Sequence, residues 1–291
     1  MLEEFAVVFE STDRQSVSDR ALVLHSLGIP YQVVTAEVVS ALLVPRGVME
    51  RAKFELWQYE QENKPKRKRM ALPIPRYQDG IAGVAVYLLV LCLVAWLAGE
   101  SAFGANWFAA GRIDGELIRH GEWWRAITAL SLHGGLRHLL GNLGFGVLFG
   151  YFAGRLLGSG IAWLAILASA FAANLLNTLL LDAAHRAVGA STAVFAALGI
   201  LAGYVWRARF MVQDRWPYRI GPIVGGIALL AYTGTGDENT DIGAHLVGFV
   251  CGFAVGIILT SMQKFLASVP LQRLCGAATI GIVAVAWLVA L

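Results

Sequence analysis

From residue 81 to the C-terminus the chain is built of seven stretches free of charged residues, about 81–99, 138–154, 156–181, 187–206, 220–236, 242–263 and 274–291. Each approaches the roughly 20 residues that an α-helix needs to cross a bilayer core. A backbone in lipid must satisfy its own hydrogen bonds, so runs of this length read as helices. The expectation is a mainly α membrane protein: a six-span helical core plus one C-terminal span. Composition agrees, since 57% of the 291 residues are hydrophobic, 15% are charged and mean hydropathy is +0.61, too apolar for an ordinary soluble domain.

The charges crowd at one end. Residues 1–70 hold 10 Lys/Arg and 10 Asp/Glu, against 13 and 10 in the 221 residues that follow. Residues 1–63 are read as a small cytosolic α/β domain in the order βαββα. Its elements are an apolar run at Phe5 to Phe9, a helix from Asp13 to Leu27, strands at Tyr31 to Val34 and Val38 to Val44, and a helix after Pro45. Residues 64–80 form a basic linker containing Lys64-Pro-Lys-Arg-Lys-Arg69, which fits a cytoplasmic anchor under the positive-inside rule better than a nucleic-acid site. The membrane core is expected at 81–263 and the seventh helix at 264–291. An acidic N-terminus without an apolar run is not expected to be a signal or transit peptide. With the head inside, Arg155, Arg207, Arg209, Arg215, Arg219, Lys264 and Arg273 fall on the cytoplasmic side, and Asp182, Asp237, Glu238 and Asp241 outside. Cys92, Cys251 and Cys275 lie in apolar runs and read as small hydrophobes.

The outer segment, residues 100–137, mixes Phe103, Trp107, Phe108, Trp123 and Trp124 with Asp114, Glu116, Arg119 and Arg125. That composition suits the headgroup region, either as an aromatic belt or as something more specific. Two glycine ladders at fourfold spacing, Gly146/Gly150/Gly154/Gly158 and Gly248/Gly252/Gly256, predict helices whose backbones approach closely.

Polar residues within spans are costly and are functional candidates. His138 and Asn142 begin the second span, Asn174 and Asn177 lie in the third, Ser191 and Thr192 begin the fourth, and His245 begins the sixth. Spans two, four and six run inward, so their candidates share one end and one depth. Ser191 stands at a loop-to-helix junction, where free backbone N–H groups favour an anion. A serine hydroxyl needs a base to become a nucleophile, and His245 can supply it. His138 and Asn142, at i and i+4, share a face and suit an oxyanion. Taken singly, Ser191 could be an N-cap and His245 a packing histidine. Asp182 and His185 are expected to be solvated, and His120 and His133 to bond loop carbonyls.

From about Ala82 to Thr260 the chain resembles the rhomboid family of intramembrane serine proteases. The resemblance rests on Trp124-Arg125, His138-Leu-Leu-Gly-Asn142, Gly189-Ala-Ser191 and Ala244-His245-Leu-Val-Gly248 followed by Gly252. It implies Ser191 as nucleophile, His245 as general base, and an oxyanion site of His138, Asn142 and the Ser191 N–H. It implies Phe195 packed on the catalytic imidazole, Gly189 beside the reacting carbonyl, and Trp124 and Arg125 as supports of the outer loop. Thr192 stands where the family usually has glycine, so a β-branched side chain adjoins the nucleophile. Gly154 stands where the family often has glutamate.

The resemblance implies no cofactor, and no span carries metal-ligand spacing. The expected partners are transmembrane-protein substrates and the lipid bilayer, with no nucleic acid. The expected location is the cell (inner) membrane, with the site open to the outer or periplasmic side. One alternative is a rhomboid-like pseudoprotease that binds membrane segments without cleavage. A small membrane transporter is another; it would call for charged pairs or broken helices repeated in two halves, which the sequence lacks.

Overall fold

The computed structural model describes residues 4–36, 38–63, 80–180, 184–210, 216–234 and 241–291. Nearly all of the linker at 64–80, together with Asp182, Arg215, Asp237 and Glu238, lies outside the described residues. The chain divides into two compact units, Met1–Lys68 and Arg69–Leu291.

In the first unit the elements are β1 (Phe5–Ser11), α1 (Arg14–Ser26), β2 (Gln32–Thr35), β3 (Ser40–Pro45) and α2 (Met49–Glu62). The sheet is antiparallel in the order β1-β3-β2. Asp13 caps α1 by accepting from the Gln15 N–H at 3.1 Å, and Gly28 at φ +67° turns the chain out of the helix. Val17, Ala21, Leu24, Leu42, Val44, Ala52 and Leu56 form the core between sheet and helices. Both strands after α1 begin and end within two residues of their expected places.

The second unit is helical. It contains α3 (Ile81–Gly99); the outer segment with α4 (Trp107–Gly111), β4 (Ile113–Asp114), α5 (Gly115–Arg119) and α6 (Arg125–Thr128); then α7 (Leu136–Leu157), α8 (Ser159–Leu180), β5 (Arg186–Ala187), α9 (Ser191–Phe210), α10 (Trp216–Gly234), α11 (Ile242–Ser261), α12 (Gln263–Leu266) and α13 (Val269–Ala290). Among the described residues six helices, α3, α7, α8, α9, α11 and α13, are long and apolar enough to span a membrane. α10 takes the place of the fifth expected span, its apolar part running Ile220–Leu229. The last span starts five residues earlier than expected, because Ser268 caps α13 and Pro270 suits a first turn.

Glycines set the helix contacts. α9 and α11 run parallel, since Gly248, Gly252 and Gly256 abut the backbone of Thr192, Ala196 and Ile200 in ascending order. Gly199 and Gly203 reciprocate by receiving the Phe249 and Phe253 backbone. A Cβ at any of these sites would collide with main chain rather than with a side chain that could swing aside. This is the close approach that small residues permit in lipid, where burial of apolar surface adds little.

The other ladder works differently from the expectation. Gly146 and Gly150 seat the rings of Tyr87 and Trp163, which stack on each other at 4.9 Å. Gly154 alone meets a neighbouring backbone, with Gly80 Cα 3.1 Å from where its Cβ would be, and Gly158 at φ +81° ends α7. The glycines here vacate volume for aromatic rings from α3 and α8, so the helices meet through side chains.

Candidate active site

Because α9 and α11 are parallel and joined backbone to backbone, their N-terminal ends lie side by side, with Ser191 opening one and His245 in the first turn of the other. Phe195, one turn along α9 from Ser191, has its ring centroid 4.4 Å from that of His245. Both side chains are buried, at 3% and 5% exposure. Thr192 is buried too, and a Cβ on Gly248 would lie 3.3 Å from its Cγ2. The methyl of Thr192 therefore packs toward α11, which is how a β-branched residue is accommodated beside Ser191.

The approach to Ser191 passes close to α7. Gly189 adopts φ +133°, a left-handed conformation that favours glycine, and a Cβ there would come within 2.7 Å of His138 Cε1 and Nε2 and 3.6 Å of Asn142 Nδ2. His138 and Asn142 thus converge on the residue two before Ser191. The Asn142 carbonyl accepts from Tyr87 Oη at 2.7 Å, while its buried Nδ2 has no hydrogen-bond acceptor among the described residues. An orphaned buried amide donor is uncommon and marks a place where an acceptor is missing.

The outer segment holds this approach in place. The Gly189 N–H donates to Ala129 O at 2.9 Å, and the Ala190 N–H donates to His133 Nε2 at 3.4 Å. His133, expected to bond a loop carbonyl, is hydrogen-bonded to the Ser131 backbone, and it also accepts from an amide next to the nucleophile position. Burial, aided by neighbouring His138 at 5.1 Å between centroids, holds the His133 imidazole at about pKa 4, so it is neutral and able to accept near pH 7. β4 pairs with β5, and Arg186 Nε bonds the Asp114 carboxylate at 3.0 Å. Burial pushes the Asp114 carboxyl up, but Arg186, the Leu117 N–H and Arg112 together hold it below its ordinary value.

Arg125 is buried and donates to Glu122 at 2.6 Å, to Ala109 O at 2.8 Å and to Arg112 O at 3.2 Å. Trp124 precedes it, its carbonyl accepting from Thr128 Oγ1 at 3.2 Å. Both residues sit within the framework of the outer segment. Trp107, Asp114 and Arg125 are buried, so this segment is folded into the second unit, while Phe103 and Trp123 remain exposed.

The third-span asparagines brace rather than line the site. Asn174 Nδ2 donates to Ala126 O at 2.8 Å, and Asn177 Nδ2 donates to Asp241 Oδ2 at 2.9 Å. Asp241 also caps α11, accepting from the Ala244 N–H at 2.9 Å, and pairs with His185 Nε2 at 2.9 Å. His185, expected to be solvated, is instead drawn to a carboxylate 56 residues away at the head of the helix that carries His245. The cap position of Asp241, four residues before His245, is the signal in the sequence that could have found it.

Comparison with known proteins places the chain. Residues 120–262 match the family model described as the Rhomboid domain. The rhomboid relative YdcA of Bacillus subtilis (strain 168) is 30% identical over 149 residues, which cover 50% of this chain and 72% of that protein. The chain belongs to the rhomboid family. Toxoplasma gondii rhomboid-like protease 2 is 34% identical over 151 residues, half of each chain, and rhomboid-like protease 1 is 31% identical over 185 residues, 59% of each. The chain thus spans about half to three fifths of the length of these two rhomboid relatives. Its six apolar helices and its family make it a multi-pass membrane protein.

Proposed function

We propose that the protein is an intramembrane serine endopeptidase that cuts transmembrane substrates near the outer membrane face. The observation that carries this reading is the unpartnered amide of Asn142 beside Gly189, two residues before a serine that opens a helix. A donor fixed in a buried site without an acceptor suits an oxyanion that exists only during reaction.

In this reading Ser191 Oγ attacks the substrate carbonyl carbon as His245 takes its proton. The carbonyl oxygen becomes an anion held by His138, Asn142 and the Ser191 N–H, and the positive end of α9 adds to the same field. Collapse breaks the C–N bond, with His245 returning the proton to the leaving amine. Water, deprotonated by His245, then attacks the acyl-serine; the C–Oγ bond breaks as His245 returns that proton to Ser191 Oγ, which frees the second product and restores the dyad. Phe195 packs against the imidazole and limits its movement, and the left-handed turn at Gly189 lets the substrate backbone approach. Hydrolysis requires water at this depth, so the site opens outward; Arg155, Arg207, Lys264 and Arg273, at the opposite helix ends, support that orientation.

The experiment is cleavage of a reporter single-span protein in proteoliposomes by wild type, Ser191→Ala and His245→Ala. Cutting by wild type alone is the expected result. Cleavage that survives either substitution sinks the dyad, and a wild type that binds membrane segments without cutting any substrate points to the pseudoprotease.

A further inference from the structure

The reading above leaves the last helix without a task. Among the described residues α13 meets the rest of its unit at two polar points. Near its start Gln272 Oε1 accepts from the Ile161 N–H at 3.0 Å, while Nε2 donates to Leu157 O at 2.7 Å and Leu266 O at 2.9 Å. Near its end Trp287 Nε1 donates to Ser131 Oγ at 3.0 Å in a buried setting. Between these points α3, α8 and α13 border an open apolar cleft of about 860 Å³ lined by Val90, Val94, Leu167, Ile280 and Val283. The helix is therefore fastened by its ends.

The Trp287 end is closely fitted. Its ring lies 4.7 Å from that of Trp107, in space left by Gly111, where a Cβ would come within 2.5 Å of the indole. Ser131 passes the contact on, donating its own hydroxyl proton to Thr128 O at 2.8 Å. Ser131 belongs to the segment 129–133 that receives the two amides before Ser191: Gly189 on Ala129 O and Ala190 on His133 Nε2. The Trp287 contact thus lies two positions along the chain from each of those bonds.

We propose that Trp287 is a positioning residue for the nucleophile. Through Ser131 it fixes segment 129–133, and through that segment it fixes the approach to Ser191, so the C-terminal span is part of the machinery. This rests on the reading of Ser191 as nucleophile. Small displacements at a reacting atom cost much, which is why a contact this remote matters.

The test uses the full chain in proteoliposomes and compares Trp287→Phe, which keeps a ring and removes the donor, with Ser131→Ala, their double variant, and Gln272→Ala at the other anchor. Turnover of the reporter substrate is read together with hydrogen exchange of the Gly189 and Ala190 amides. Trp287→Phe and Ser131→Ala should each lower kcat about tenfold at unchanged KM and speed that exchange by a similar factor. Ser131→Ala removes the bond that Trp287→Phe removes and the Ser131–Thr128 bond as well, so the double variant should be no worse than Ser131→Ala alone. Gln272→Ala should lower thermal stability and leave both readouts as in wild type. The proposal is overturned if Trp287→Phe keeps wild-type kcat and exchange, or if Gln272→Ala lowers kcat as much as Trp287→Phe, since α13 would then be a general brace. Should wild type neither cut nor react with a serine-directed probe, the reading of Ser191 fails, and exchange still judges the clamp: unchanged exchange in Trp287→Phe overturns it, and faster exchange upholds it.

Discussion

α9 and α11 are joined over glycines, backbone on backbone, whereas the outer segment from Ala102 to His133 is joined to its surroundings by hydrogen bonds received at Ala126 O, Ala129 O, Ser131 Oγ and His133 Nε2. The first contact brings the N-terminal ends of α9 and α11 together through glycine faces laid on helix backbone. The second holds the approach to Ser191 against His138 and Asn142, and it adds those hydrogen bonds to the apolar packing of Trp107, Leu132 and Ala129. Each means suits its depth. In lipid, close packing is the attraction that remains once burial of apolar surface ceases to drive association. Beyond the ends of the spans, irregular backbone needs partners, which buried side chains supply.

The two regions should therefore break differently. Gly252→Val forces a branched side chain into the Ala196 backbone, where nothing can swing aside. It should cost about 4 kcal/mol, on the severe side of overpacking, and separate the helices; unfolding in detergent followed by circular dichroism measures it. A near-neutral result would mean that α9 and α11 are not held by this seam.

In the outer segment Arg125→Lys keeps the charge but loses the fork that reaches Glu122, Ala109 and Arg112 at once. The expected loss is about 3 kcal/mol, with carbonyls left unpaired in a buried place. The same unfolding assay reads it, and activity should fall in the fraction that remains folded.

Acid should loosen the outer segment and spare the seam. The folded His133 imidazole titrates at about 4, below its unfolded value, so the folded state binds fewer protons in this window. Its contribution is complete above the unfolded value near 6.5 and is lost as pH falls through that value toward 4. Between about pH 7 and about pH 5 this amounts to about 2 kcal/mol, and His133→Gln, which keeps an acceptor but does not titrate, should lose that dependence.

The smallest effect is expected at Thr192→Gly. Its methyl faces Gly248 and not the reacting groups, so removing it should alter kcat less than about twofold and cost about 1 kcal/mol through lost packing and helix propensity. A large gain in kcat would show that the side chain does obstruct the site.

Much of the fold was legible in the sequence because membrane helices declare themselves by length and by the absence of charge. Gly248, Gly252 and Gly256 could be read as a close seam from spacing alone, yet Gly146 and Gly150 carry the same spacing and seat Tyr87 and Trp163. Spacing reveals a missing side chain without revealing what fills the gap. His138, Asn142, Ser191 and His245 stood out as polar residues in apolar runs. His133, Asp114, Arg186 and Asp241 did not, because polar residues in a loop are unremarkable until a fold buries them. His185 likewise read as solvated, since its partner Asp241 is distant in sequence and adjacent only once α8, α9 and α11 are packed.

The central claim is that Ser191 is a nucleophile activated by His245. The most direct measurement is reaction of the purified protein with a fluorophosphonate, followed by digestion and mass location of the adduct. The account predicts one adduct on Ser191 in wild type, none in Ser191→Ala, and labelling at least about a hundredfold slower in His245→Ala. An adduct on another serine, or labelling that persists unchanged without His245, would contradict it.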